Sequence, residues 1–147
     1  MAEGLLGHFY GEKYEVFSAG SSPTQVHPFT IKVMAEIGID ISEQTSKSIE
    51  EFRNKDIDVV ASVRSSSAKV ICPFCSSPIV GGRPEIINTA LPGAKHYLHQ
   101  DFSDPSEVEG SNEEKVAPFR HARDVIKKWI LSTFAELTTE SSDKMIL

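Results

Sequence analysis

Hydrophobic positions along this chain follow two periods, and the places where one gives way to the other mark the elements. Leu5, Leu6 and Phe9 stand at helical spacing from the outset, although no residue suited to capping a helix precedes them. Tyr14-Glu15-Val16-Phe17-Ser18 alternates as a strand does and runs into a turn at Ala19-Gly20. Pro28 suits the first position of a helix behind His27, with Ile31, Met34 and Ala35 as its apolar face. Gly38 then falls where a helix end wants a left-handed residue, and Ile39 supplies the hydrophobic contact that usually follows. Ser48-Ile49-Glu50-Glu51 has capping-box spacing and opens a short helix ahead of an apolar strand over 57–62. A third short strand is predicted over 95–98. A second capping box, Ser111 to Glu114, opens a long helix with Val116, Phe119, Ile126, Ile130, Phe134 and Leu137 on one stripe. Pro118 lies inside that run and predicts a kink or a delayed start. Residues 138–147 are polar until the last three and read as a loose tail, leaving 1–137 as a single domain.

Strands that alternate with helices predict an α/β fold: an open parallel sheet flanked by helices, with short connections. The chain's 147 residues, 39% of them apolar, suffice for one core. With 15 basic against 21 acidic side chains and no Lys/Arg run, a dedicated nucleic-acid binder is excluded. No stretch has the length of an apolar membrane span, and the first residues lack the basic and apolar regions of a signal peptide. Two cysteines make no disulfide scaffold, so the expected setting is cytoplasmic, with the thiols reduced at rest.

Both cysteines lie in one loop, Cys72-Pro73-Phe74-Cys75, downstream of the 57–62 strand. Loops that follow parallel strands are where such sheets carry chemistry. A Cys-x-x-Cys pair can pass electrons or supply half of a metal site. His96 and His99 are the available second half of a zinc site, but they are spaced too closely for a finger and point to opposite faces of a strand. Two loop thiols without a metal are therefore the simpler reading, and nothing in the residues calls for a cofactor. Arg64 ends the same strand beside Ser65, Ser66 and Ser67; it is either a solvated surface arginine or an oxyanion contact. His8, His27 and His121 sit at helix or cap positions, where structural roles are the default, and Trp129 with Ile130 belongs to core packing.

Several short motifs recur together, and in this order, in one family: Met1-Ala2-Glu3-Gly4, Ser18-Ala19-Gly20, Gly38-Ile39-Asp40-Ile41-Ser42, Asp104-Pro105, Gly110 to Lys115, and Phe119 to Asp124. On these residues the chain resembles the low-molecular-weight tyrosine phosphatases, and among them the thioredoxin-coupled arsenate reductases. The likeness runs to about residue 135, with an insertion over 79–90. It implies a loop of the form Cys-x5-Arg, between the first strand and first helix, whose backbone amides, arginine and helix N-terminus hold an oxyanion while the thiolate attacks it. Met1-Ala2-Glu3 corresponds to the helix just after that loop, and neither Cys72 nor Cys75 has an arginine six positions on.

The resemblance assigns Asp104, directly before Pro105, as the general acid that protonates the departing oxygen. An Asp-Pro pair is also an ordinary helix start. Of the reductases' two relay cysteines, the first position falls on Arg64 and the second on Cys72, with Cys75 as an extra thiol. The residues after Asp104 are Ser106-Glu107-Val108-Glu109, without the aromatic side chains that line a phosphotyrosine slot, which favours the reductase branch. The implied function is therefore arsenate reductase-like, arsenate to arsenite through a thiol–disulfide relay. A small oxyanion would be the substrate and a thioredoxin-like protein the reductant. With no nucleophile loop in these 147 residues, the chain as it stands is expected to be inactive. The alternatives are a tyrosine phosphatase of the same fold and a non-catalytic module binding oxyanion or metal.

The family's first strand lies inside the sheet, between the strands at 14–18 and 57–62. Its absence would leave two facing rows of unpaired backbone groups. Three outcomes are open: poor folding of the chain alone, a rearranged sheet, or a strand borrowed from another copy.

Overall fold

The computed structural model describes residues 1–20, 25–64, 70–71, 78–79, 93–108, 111–135 and 143–147. Helix α1 (Ala2–Tyr10) leads to strand β1 (Tyr14–Phe17), and helix α2 (Pro28–Ala35) to a 3-10 helix at Ile49–Phe52. Strand β2 (Val59–Arg64) is followed by a small antiparallel pair, β3 (Val70–Ile71) and β4 (Pro78–Ile79). Strand β5 (His96–Asp101), a 3-10 helix at Pro105–Glu107, helix α3 (Asn112–Thr133) and strand β6 (Asp143–Ile146) complete the order. The main sheet is parallel throughout, in the order β1-β6-β2-β5.

Local chemistry explains most of these boundaries. His27 caps α2 by accepting from the Phe29 amide at 3.2 Å, and Pro28 occupies the first turn. Gly38 ends the helix at φ +79°, where a side chain would be strained, and the Ile39 amide donates back to the Met34 carbonyl at 3.1 Å. The buried face of α2 is Thr30, Val33 and Met34; Ala35 is exposed, so the face is rotated from the expected one. Both capping boxes form: the Ser48 amide donates to Glu51 Oε1 at 3.0 Å, and the Ser111 amide to Glu114 Oε2 at 2.8 Å. The bonds donated by the Ser111 hydroxyl and amide hold the Glu114 carboxyl below its usual pKa. Pro118 neither delays nor ends α3, which runs unbroken through it.

The central sheet position holds the chief departure from expectation. Residues 143–147 are not a loose tail: β6 lies between β1 and β2, with Met145 beside both Val16 and Val59. Met145, Ile146 and Leu147 are all buried. Met145 and Leu147 join the core formed with Leu5, Leu6, Met34, Ile130 and Phe134, whereas Ile146 packs on the opposite face with Phe52, Ile57 and Val60. This alternation is that of a strand buried on both faces. The sheet is thus closed by the chain's own C-terminal residues, the rearranged outcome among the three.

Strand β2 begins two residues later than expected, at Val59, because its pairing with β5 aligns Val59 with His96 and Arg64 with Asp101. Among the described residues, no helix is long and apolar enough to cross a membrane.

Candidate functional site

Because β1, β6, β2 and β5 are parallel, their C-terminal ends lie along one edge, and the loops leaving them converge there. A cleft of about 510 Å³ opens at this edge. Its walls come from the start of α1 (Met1, Glu3), the residue after β1 (Ser18), the start of α2 (His27, Thr30), residues 44–46, Val63 of β2 and the loop Phe102–Ser106. Phe119, Ala122 and Ile126 of α3 form its floor. A second recess of about 320 Å³ adjoins it over the ends of β2 and β6, sharing Met1, Glu3, Ser18 and Val63.

Helix α1 starts at this edge, with Met1 and Glu3 on the cleft wall and no side-chain cap for its first amides. Such an end attracts anions. Glu3 in the first turn is the anion already there. Its Oε2 accepts from the Ser18 hydroxyl, and its Oε1 meets Lys47 Nζ at 3.5 Å. The ion pair is mostly shielded, the Glu3 side chain being 15% exposed, and it brings a lysine from 44 residues away to the rim.

Asp104 sits on the cleft wall at the head of the 3-10 helix after β5. Its Oδ1 accepts from the Ser106 amide at 2.9 Å and from the Ser106 hydroxyl at 2.6 Å. Asp104 therefore does cap a helix, as an Asp-Pro pair often does, and the same two bonds fix its carboxyl on the cleft side. His27 also lines the cleft, stacked on Phe119 with ring centroids 4.8 Å apart, which accounts for it as a structural residue.

Cys72 and Cys75, with the 79–90 insertion, lie outside the described residues except for Ile79 in β4. Arg64 is the last residue of β2, and its backbone pairs with Asp101. His96 and His99 fall on opposite faces of β5: Leu98, of the same parity as His96, packs on one core cluster, and Tyr97, of the same parity as His99, on the other. Among the described residues no group of three His, Cys, Asp or Glu side chains is placed to hold a metal ion. The sequence reading gave no role to Glu3, Ser18 or Lys47; the only signal was that the first two sit inside recurring motifs.

An open parallel sheet flanked by helices, with a cleft at the strand ends beside a helix N-terminus and an Asp-Pro turn, places the chain among the small α/β proteins that carry their site at one sheet edge. The family model of the low molecular weight phosphotyrosine protein phosphatases matches residues 1–143, and the chain belongs to that family. An arsenate reductase of Halalkalibacterium halodurans is 40% identical over 136 residues, covering 92% of this chain and 85% of that one. The glutaredoxin arsenate reductase of a Synechocystis species is 48% identical over 63 residues, 43% of this chain and 48% of that one. A solved arsenate reductase in the phosphate binding state superposes with a TM-score of 0.68 at 28% identity, covering 93% of this chain and 87% of that one. Within the family the chain is arsenate reductase-like.

Proposed function

We propose that this protein handles arsenate in the cytoplasm as part of a thiol-coupled reduction, with Asp104 as the acid of the site. The observation that carries the reading is the Asp104–Ser106 turn. It fixes a carboxyl on the wall of the cleft at the strand ends, and no aromatic side chain follows it to form a phosphotyrosine slot. Arsenate reduction consumes two thiols and releases one disulfide and one water. Asp104 supplies the proton that lets the departing oxygen leave as water. Cys72 and Cys75, three positions apart, are the pair suited to carry the resulting disulfide outward to a thioredoxin- or glutaredoxin-like reductant. The attacking thiolate and its arginine are not among these 147 residues, since neither cysteine has Arg six positions on. The chain by itself is therefore proposed to be without turnover.

Coupled assays with thioredoxin and with glutaredoxin, and a phosphatase assay in parallel, test this. The 147-residue chain should match the blank in all three. The same chain preceded by an apolar strand and a Cys-x5-Arg loop of the family pattern should reduce arsenate, and Asp104→Asn should lower that rate about 10²–10⁴-fold. Turnover by the unextended chain, equal rates in Asp104→Asn and its parent, or phosphatase activity without reduction would each overturn the proposal.

A further inference from the structure

Thr30 is out of place on the buried face of α2. It lies there with Val33 and Met34, 9% exposed, and its hydroxyl has no hydrogen-bond partner among the described residues. A helical threonine often settles that hydroxyl on the carbonyl four residues back, here Val26, and this one does not. A buried hydroxyl left without a partner is destabilising, which calls for a reason other than folding. Nor is the oxygen sealed off. Among the described residues the sealed polar side-chain atom without a partner is His99 Nδ1, so the Thr30 hydroxyl keeps an opening. Thr30 opens on the cleft at the strand ends.

His27, three positions earlier, lines the same cleft. Its Nδ1 accepts from the Phe29 amide at 3.2 Å, which in the neutral ring leaves the hydrogen on Nε2. The ring is held in place by the stack on Phe119 and by Phe29, whose centroid is 5.2 Å away. Those contacts fix the imidazole and leave its Nε2–H without an acceptor among the described residues. The amides of this turn are already bonded. Pro28 has none, that of Phe29 goes to His27 Nδ1, and those of Thr30 and Ile31 go to the His27 carbonyl. What the start of α2 offers the cleft is therefore two side-chain donors, three residues apart and so neighbours on the helix. The other wall hydroxyls differ: Thr45, Ser46 and Ser103 stand in solvent, and that of Ser106 is bonded to Asp104.

We infer that Thr30 Oγ1 and His27 Nε2 form an oxyanion-holding pair, each donating to one oxygen of a small tetrahedral oxyanion in the cleft. Two buried or fixed donors suit an ion that has acceptor oxygens on every side. The positive ends of the α1 and α2 dipoles, both on this cleft, favour its charge. The inference rests on the reading of the cleft given above and deepens it, by naming the residues that bind arsenate or phosphate on the α2 side. It also explains why a hydroxyl that weakens the fold is kept on a buried face.

The test uses the 147-residue chain with inorganic phosphate and with arsenate, followed by amide and imidazole shifts in NMR. Both ions should bind and should move the signals of Thr30 and of the His27 ring. Thr30→Val, which replaces the hydroxyl by a methyl of the same shape, should weaken binding at least about tenfold, or about 1.4 kcal/mol. Its urea midpoint should not fall, because no native bond is lost. Thr30→Ser keeps the hydroxyl and should bind as the parent does. His27→Asn keeps a capping acceptor but removes the Nε2–H, and should also weaken binding. The pair is overturned if neither ion binds the parent, or if Thr30→Val binds both as tightly as the parent. It is equally overturned if Thr30→Val lowers the midpoint, since the hydroxyl would then serve the fold. Binding and turnover separate the two readings: unchanged binding by Thr30→Val leaves the role of Asp104 standing, and equal arsenate rates in Asp104→Asn and its parent leave the pair standing.

Discussion

Asp58 and Lys144 meet twice across the sheet. The Asp58 amide donates to the Lys144 carbonyl at 2.9 Å, and Asp58 Oδ2 accepts from the Lys144 amide at 2.9 Å. The other carboxyl oxygen holds Lys95 Nζ at 2.8 Å, and the Asp58 carbonyl accepts from the Lys95 and His96 amides. One residue thus fastens the starts of β6 and β5 to the approach of β2. These contacts, the Lys95 bond foremost and the Lys144 amide next, hold the Asp58 carboxyl below its ordinary pKa.

A carboxyl with a lowered folded pKa favours the folded state while ionised. Its contribution is complete above the unfolded value of about 3.9 and disappears as pH falls through the lower folded value. Urea unfolding followed between pH 2 and 6 should therefore show a steeper loss of stability for the parent than for Asp58→Asn. Asp58→Ala, which also leaves the Lys144 amide without its acceptor, should cost about 1–3 kcal/mol at pH 7. Identical pH slopes for parent and Asp58→Asn would remove Asp58 from the acid response.

The two arginines of α3 divide differently. Arg123 is 8% exposed and donates from Nη1 to the Val33 carbonyl at 2.9 Å and from Nε to Asp124 at 2.7 Å. Arg120 grips Glu36 with two bonds of 2.8 and 2.6 Å, but half of its side chain is in solvent. Geometry alone favours the Arg120 pair; burial decides the other way. Arg123→Ala strands a carbonyl and should cost about 2–3 kcal/mol, whereas Arg120→Ala should cost under about 1 kcal/mol. Chemical denaturation of the two variants checks the ranking, which fails if Arg120→Ala proves as damaging.

Much of this was legible in the chain because it is local. Caps at Ser48 and Ser111, Pro28 after His27, and the Gly38–Ile39 helix end each depend on residues within a few positions of one another. The stripe along α3 shows in the same way, since Val116, Phe119, Ile130 and Phe134 share one face of one helix. That Asp104 opens a helical turn was legible from the proline after it. What was not legible is what the chain assembles from afar. A four-residue strand such as Asp143–Ile146 has no period to detect, and its reason for existing is a slot formed by β1 and β2. The Glu3–Lys47 pair, which shapes the cleft, is equally invisible because neither residue constrains the other in sequence.

Ser111→Ala should remove the side-chain half of the box that starts α3, since its hydroxyl accepts from the Glu114 amide at 3.4 Å and donates to Glu114 Oε2 at 2.7 Å, while the bond from the residue 111 amide to Glu114 stays. The expected loss is about 1 kcal/mol in thermal or urea unfolding. Ser111→Asp keeps a capping acceptor but sets it against the Glu114 carboxylate, so it should recover only part of that loss. Full recovery would mean that the Ser111–Glu114 hydroxyl bond contributes nothing.

Two glycines of α1 give a sharper contrast, because alanine is the better helix former by about 0.8–1.0 kcal/mol at either position. At Gly7 a Cβ would meet nothing within 4 Å, so Gly7→Ala should stabilise the protein by nearly that amount. At Gly4 the same Cβ would lie 2.5 Å from Ile41 Cγ2 and 3.3 Å from the Met34 methyl. Ile41 is 1% exposed and its methyl is fixed by a branched Cβ, so the crowding cannot be relieved by swinging a flexible end away. Overpacking of this kind costs about 1–3 kcal/mol, which exceeds the helix gain. Gly4→Ala should therefore lower the unfolding midpoint while Gly7→Ala raises it. Shifts of the same sign would show that α1 does not sit as closely on the Ile39–Ile41 segment as these distances require.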